Sequence, residues 1–278
     1  MADPLTAKHF LLRAQLLRDQ VPNFDEYPFS LPAFRGFDTI VFHPAVTFLI
    51  GENGTGKSTL LEAIAVGLGL NPEGGSRNFN FSTRASHSSL HRLLRLIRGV
   101  RRPRDSYFLR AESFFNVATE IERLDDGPAF GSPIISAYGG RSLHEMSHGE
   151  SFLALATHRF RGNGLYILDE PEAALSPIRQ MALLVRIHQL ASEGAQFIIA
   201  THSPLLMAYP AAIILQLEEK ADIRPIAYEE TEHFRVTRDF LRDPARSLAI
   251  LLEANAEEES LQAARRDKNG THAAPEVE

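Results

Sequence analysis

The hydrophobic positions of this chain switch between two periods. Val46-Thr47-Phe48-Leu49-Ile50 is an almost unbroken apolar run of strand length, and it reads as a buried strand. Immediately downstream, Leu60, Leu61, Ile64 and Leu68 fall on one face of a helix running from Leu60 to Leu68. Apolar runs return at Leu165–Leu168, Phe197–Ala200, Ile213–Leu217 and Ile223–Ala227, with helical spacing between the first of them, notably Pro177–Ala191. Strand alternating with helix over short connections predicts an α/β fold whose central sheet is mostly parallel and covered by helices on both faces.

The N-terminal part has a different rhythm. Phe10 to Leu17 fits both periods and is taken as a strand, because Phe10, Leu12, Ala14 and Leu16 alternate. The prolines in Tyr27-Pro28-Phe29-Ser30-Leu31-Pro32 exclude a helix there. Phe37–Phe42 predicts a further strand, which gives an N-terminal antiparallel β portion ahead of the sheet, and Tyr107–Glu112 predicts another strand. One domain over residues 1–253 is expected, with a helical insertion over about 70–145. Residues 254–278 are rich in Ala, Glu and Arg, lack large apolar residues apart from Leu261 and Val277, and are expected to be a disordered tail.

Charge changes the picture in one place. The formal net charge of −6 argues against a generally basic coat for nucleic acid. Yet Arg84 to Arg104 holds seven arginines and no acid, and Leu90, Leu93, Leu94 and Ile97 recur at helical spacing. That pattern predicts an amphipathic basic helix, either a contact for nucleic acid or another anionic partner, or a plain solvated face. Cysteine is absent, which excludes disulfides, thiolate metal sites and a thiol nucleophile. No apolar stretch approaches the ~18–20 residues of a membrane span and no leader pattern opens the chain, so a cytoplasmic protein without direct membrane insertion is expected.

The chemistry begins at Gly51-Glu52-Asn53-Gly54-Thr55-Gly56-Lys57-Ser58-Thr59, which fits G-x-x-x-x-G-K-[ST] without a mismatch and lies between a strand and a helix. Glycines let the backbone form a nest of N–H groups around phosphate oxygens, and the following helix adds its dipole. Lys57 is expected to reach the β- and γ-phosphates and Ser58 to sit on Mg²⁺. The strand Leu165–Leu168 ends in Asp169-Glu170, at the strand end where such sheets bind ligands. Asp169 would hold Mg²⁺ opposite Ser58, and Glu170 would orient or deprotonate the attacking water. Phe197–Ala200 ends in Thr201-His202, which places His202 to hydrogen-bond the γ-phosphate or that water. Finally, Ser147, Gly149 and Glu150 open the helix Phe152–Phe160. They read as a second anion site or as an ordinary capping box.

In that order these motifs resemble the ATP-binding cassette ATPases over most of residues 35–205. Ser147-His148-Gly149-Glu150 looks like their signature motif, with His148 where glycine is usual. Ala174-Leu175-Ser176 looks like their D-loop and His202 like their switch histidine. Gly51-Glu52-Asn53-Gly54, Asp169-Glu170-Pro171-Glu172-Ala173-Ala174-Leu175 and Thr201-His202-Ser203-Pro204 are similar to the RecF, SMC and OLD-like branch, especially its small stand-alone ATPases with Ser-His-Gly-Glu-Ser. The resemblance implies a P-loop NTPase with an ABC-type head and Mg²⁺-dependent ATP hydrolysis. It also implies an ATP-dependent homodimer in which Gly51–Thr59 of one copy and Ser147–Glu150 of the other hold each nucleotide. Glu112 stands near the expected Q-loop glutamine, as a further Mg²⁺ contact through water. The adenine-stacking aromatic is open among Tyr27, Phe29 and Phe34. The output is expected to reach an unidentified effector protein or nucleic acid. The alternatives are the nucleotide-binding subunit of a transporter and a non-catalytic ATP-gated switch.

Overall fold

The computed structural model describes residues 9–76, 88–111, 114–125, 133–218 and 223–253, the side chains of Phe114, Phe115 and His148 excepted. Its strands are β1 (Leu11–Leu16), β2 (Thr39–Val41), β3 (Val46–Ile50), β4 (Leu94–Arg98), β5 (Asp105–Arg110), β6 (Gly164–Asp169), β7 (Gln196–Ala200), β8 (Ala212–Leu217) and β9 (Ile223–Pro225). The α-helices are α1 (Pro32–Gly36), α2 (Lys57–Gly67), α3 (Phe114–Asp125), α4 (His148–Ala154), α5 (Pro177–Ser192), α6 (Pro204–Met207) and α7 (Glu232–Arg242). Two compact units emerge, one ending at Tyr228 and one running from Glu229, so the first closes short of the expected boundary at 253. In the second unit Thr231 caps α7 by accepting the Phe234 N–H, and helix resumes over 244–253. The expected tail at 254–278 lies outside the described residues.

Six strands form the main sheet in the order β5-β6-β7-β3-β8-β9, all parallel except β9. Every residue of β3, β6 and β7 is buried. Such strands need apolar side chains on both faces, which is why they read as continuous runs. Along β3, Val46, Phe48 and Ile50 enter one core with α5, while Leu49 enters a second core with Phe34, Leu60 and Ile64. The sheet thus separates two hydrophobic layers, as the period-two geometry of a strand requires.

A three-stranded antiparallel sheet, β2-β1-β4, provides the expected N-terminal β portion. Gln196 ties it to the main sheet. Its Oε1 accepts the Phe10 and Leu11 N–H groups at 3.0 and 2.9 Å, and its Nε2 donates to Leu11 O and His43 O at 2.8 and 3.0 Å. A buried amide with its hydrogen-bonding capacity filled orients the two sheets without leaving a polar group stranded.

The basic stretch departs from expectation. Ser89–Arg92 is a 3₁₀ turn and Leu94–Arg98 is β4, not an amphipathic helix. The leucines served two periods, and the free edge of β1 decided between them by pairing Leu16 with Leu94 through to Leu11 with Arg98. Leu94 is buried, and Leu96 packs beside α2, 2.8 Å from where a Cβ on Gly67 would stand. Arg98 donates to Gly67 O at 2.7 Å and Arg101 to Asn163 Oδ1 at 2.6 Å, so two of the arginines serve local contacts. Arg84 lies outside the described residues. Both β4 and β5 fall within residues 70–145, so the helical part of that insertion is carried by α3 and the 3₁₀ turns after it.

Candidate active site

The strand order assembles the site. Strands β6, β7 and β3 are neighbours, so Asp169, Thr201 and the loop after Ile50 emerge side by side at their carboxyl ends. The Thr201 N–H donates to Leu49 O at 3.2 Å and the Glu170 N–H to Ala200 O at 3.0 Å, extending the pairing just past the strands. The phosphate loop is shaped by glycines at positive φ: Gly51 (148°), Gly54 (81°) and Gly56 (108°). Gly51 has a second reason to be glycine, since a Cβ there would meet the carbonyl oxygen of Leu217 at 2.5 Å. Thr55 closes the loop through its hydroxyl, which donates to Glu52 O at 2.8 Å.

Lys57 is buried, and its ammonium donates to Gly51 O at 2.7 Å and Glu52 O at 2.8 Å. Burial lowers its pKa, while the facing carboxylates of Glu170, Asp169, Glu172 and Glu52 pull it back up. An ammonium held by two carbonyls at the mouth of an N–H nest is placed to exchange them for phosphate oxygens. The Ser58 hydroxyl donates to Asp169 Oδ1 at 3.0 Å. These two hard oxygen donors fit Mg²⁺, which takes few protein ligands and completes its shell with water and phosphate. Glu112, the other expected metal contact, lies outside the described residues.

Two basic residues and one acid enter the site that sequence reasoning did not assign. Arg110, at the end of β5, reaches Glu62 Oε2 at 2.9 Å and lies 3.7 Å from Asp169 Oδ2. It therefore steadies the carboxylate that faces Ser58. Arg179, in the first turn of α5, donates to Ser147 Oγ and Glu150 Oε1, each at 3.2 Å. Glu172 is the acid: its Oε1 accepts the His202 N–H at 2.5 Å. Burial raises the Glu172 pKa, against the lowering effect of hydrogen bonds from His202, its own N–H and Thr201. Glu172 was visible only as a letter in a motif, and nothing in spacing could show which atom it touches.

Glu170 takes a left-handed backbone conformation (φ 50°, ψ 53°), uncommon for a residue with a side chain. Its Oε1 lies 3.8 Å from His202 Nε2. Strain of this kind is retained where it aims a functional group. An open cleft is lined by Tyr27, Leu31, Asn53, Gly54, Gly56, Lys57, Ser58, Thr59 and Glu170. Tyr27 is 65% exposed, whereas Phe29 and Phe34 are 4% and 0% exposed. Of the three aromatic candidates only Tyr27 is exposed and lines this cleft.

Ser147 and Glu150 form the capping box of α4, the Ser147 N–H donating to Glu150 Oε2 at 3.0 Å. That arrangement holds Glu150 below the usual carboxylate range, first through the Ser147 hydroxyl. Gly149 permits the close approach of Arg179 and Ala174, since a Cβ would meet Arg179 Nη1 at 2.6 Å and Ala174 O at 2.7 Å. The signature-like turn and the D-loop-like segment are therefore in contact within one copy.

Known proteins are similar to this chain over much of its length. Residues 30–115 match a family described as "AAA domain", and residues 120–208 match one described as "AAA domain, putative AbiEii toxin, Type IV TA system". The first match contains the phosphate loop Gly51–Thr59, and the second contains Ser147–Glu150, Asp169, Glu170 and His202. The chain is 26% identical over 242 residues to the energy-coupling factor transporter ATP-binding protein EcfA2 of Methanospirillum hungatei, covering 83% of this chain and 60% of that protein's length. It is also 26% identical over 198 residues to EcfA1 of Fusobacterium nucleatum, covering 67% and 74% respectively. Among solved structures, the SMC head domain of Thermotoga maritima aligns with 16% identity and a TM-score of 0.38, over 68% of this chain and 93% of that one. The ADP conformation of MJ1267, an ATP-binding cassette of an ABC transporter, aligns with 17% identity and a TM-score of 0.44, over 78% and 90%. Among the described residues no helix is long and apolar enough to cross a membrane.

Proposed function

We propose that this domain hydrolyses Mg²⁺-ATP between two copies of the chain. The observation that carries the reading is the Ser58–Asp169 hydrogen bond at 3.0 Å, beside Lys57 and within reach of Glu170. Gly51–Thr59 would hold the phosphates, and Ser58 and Asp169 would hold Mg²⁺. Held there, the ion would supply positive charge to offset the negative charge that develops on the phosphate. Tyr27 would stack on the base. Glu170 would orient and deprotonate the attacking water, with His202 steadying the γ-phosphate side. Ser147, Gly149 and Glu150 of a second copy would complete each site.

The transporter reading of the output has the better support. The chain's curated relatives are named as transporter ATP-binding proteins, and the nucleic-acid reading rested on a basic helix that the fold replaces with a 3₁₀ turn and a strand. In this reading a separate chain supplies the membrane-spanning part, and hydrolysis at Glu170 reopens the dimer. A second reading, a head that drives a non-membrane effector, draws on the family matched over residues 120–208.

Glu170→Gln tests the core of the proposal. With Mg²⁺-ATP it should sediment as a dimer and without nucleotide as a lighter species; a single unchanged species at saturating ATP would overturn the sandwich. The same variant, incubated with membranes of the source cell, separates the two outputs. Nucleotide-dependent recruitment to the membrane fraction supports the transporter subunit, and its absence supports the effector reading.

A further inference from the structure

Glu172 stands two residues beyond Glu170 and makes a contact that the reaction scheme above does not use. Its Oε1 accepts the backbone N–H of His202 at 2.5 Å. Its Oε2 is buried and has no hydrogen-bond partner among the described residues. The same carboxyl also interacts with Thr201, on the other side of the same peptide. On the far side of that loop, Ser203 donates to Gln180 Oε1 at 2.5 Å and its N–H donates to Thr201 Oγ1 at 3.0 Å. The segment Thr201–Ser203 is thus gripped at every residue, and Glu172 supplies the grip at the histidine.

We propose that Glu172 is the positioning residue for His202: by accepting the His202 main-chain N–H, it sets the imidazole at its 3.8 Å spacing from Glu170. The inference rests on the reading of Glu170 and His202 as the pair that handles the attacking water. Glu170, in its left-handed conformation, is the N-cap of the short turn Pro171–Ala174 that carries the Glu172 carboxyl. That turn and its cap therefore carry the base and fix the histidine through a side chain. Glu170 and His202 come from different strands, and Glu172 makes their separation a property of one rigid piece. A misplacement of about 1 Å at such a pair costs on the order of 10²-fold in rate.

The acceptor oxygen is what matters in this proposal, so the variants are chosen by what they keep. Glu172→Gln retains an oxygen for the His202 N–H, while Glu172→Met retains the bulk and removes it. Turnover of Glu172→Met should fall about 10-fold or more, with ATP affinity measured by nucleotide titration unchanged, and Glu172→Gln should stay within about threefold of the parent chain. Circular dichroism of both variants, matched to the parent, establishes that the comparison is between folded proteins. Wild-type turnover in Glu172→Met overturns the proposal. So does an equal loss in both variants, or a loss that appears in ATP affinity rather than turnover. Glu170→Gln run alongside keeps the two levels apart: if it turns ATP over normally, the reading of the pair has failed, whatever Glu172 does.

Discussion

The Ser58 hydroxyl and the Asp169 carboxylate, from the first turn of α2 and the last position of β6, meet at 3.0 Å across 111 residues of sequence. Neither is solvated enough to be incidental: Asp169 is 6% exposed, and Arg110 sits 3.7 Å from its other oxygen. The pairing joins the phosphate loop to the carboxyl end of the next-but-one strand, and it brings together two oxygen donors that would hold a divalent cation.

Ser58→Ala and Asp169→Asn should each lower ATP turnover by about 10²-fold or more. Both should also raise the Mg²⁺ concentration needed for half-maximal nucleotide binding, read from a fluorescent ATP analogue titrated with Mg²⁺. Binding of the same analogue without metal should change little, because Lys57 and the loop N–H groups are intact. If metal dependence is the same in both variants as in the parent, the metal lies elsewhere.

Tyr27 is exposed and lines the same cleft as Gly54 and Lys57. Base stacking on an aromatic is worth about 1–3 kcal/mol, so Tyr27→Ala should weaken ATP binding by roughly tenfold. The contact is equal in ground and transition states, so KM should rise while kcat holds. Tyr27→Phe should behave as the parent does. A loss of kcat at unchanged KM would assign Tyr27 to the chemistry instead.

How much of this was legible beforehand depended on how local each feature is. Gly51–Thr59 and β3 were readable because a glycine nest and a buried strand declare themselves within ten residues. Asp169, Glu170 and His202 were readable because a parallel strand that ends in a polar residue presents it at the ligand-binding edge. The placement of β7 between β6 and β3 was not legible, since strand order is decided by packing among distant segments. The basic stretch failed for the same reason: Leu90 to Ile97 satisfied helical spacing, and only the edge of β1 made it a strand. Arg110, Glu172 and Arg179 carry no motif of their own, so their contacts appear only once Asp169, His202 and Ser147 are in place.

Gly51 is a sharper test of the loop than Lys57, because it separates shape from charge. Its φ of 148° and the 2.5 Å approach of a Cβ to the Leu217 carbonyl mean that Ala must displace backbone, not a side chain. Overpacking and a disfavoured φ together should cost about 2–5 kcal/mol and lower Tm by roughly 5–15 °C. Nucleotide affinity should fall with it. A Gly51→Ala variant of parental Tm would show that β8 is not held as close to the loop as the structure has it.

Glu172 also gives a pH signature. Burial raises its carboxyl pKa, so the folded chain holds that proton more tightly than the unfolded chain does. The sign follows: ionising Glu172 disfavours the native state, the penalty is absent below the unfolded value of about 4.5, and it is complete above the folded value. Its contribution to stability is therefore lost as pH rises through that window. Glu172→Gln cannot ionise, so its Tm minus that of the parent should climb from about pH 4 upward and flatten once the parental carboxyl is fully ionised. A difference that stays constant over the whole range would mean that the carboxyl titrates alike in both states, and that burial at Pro171–Ala174 is not what sets its proton.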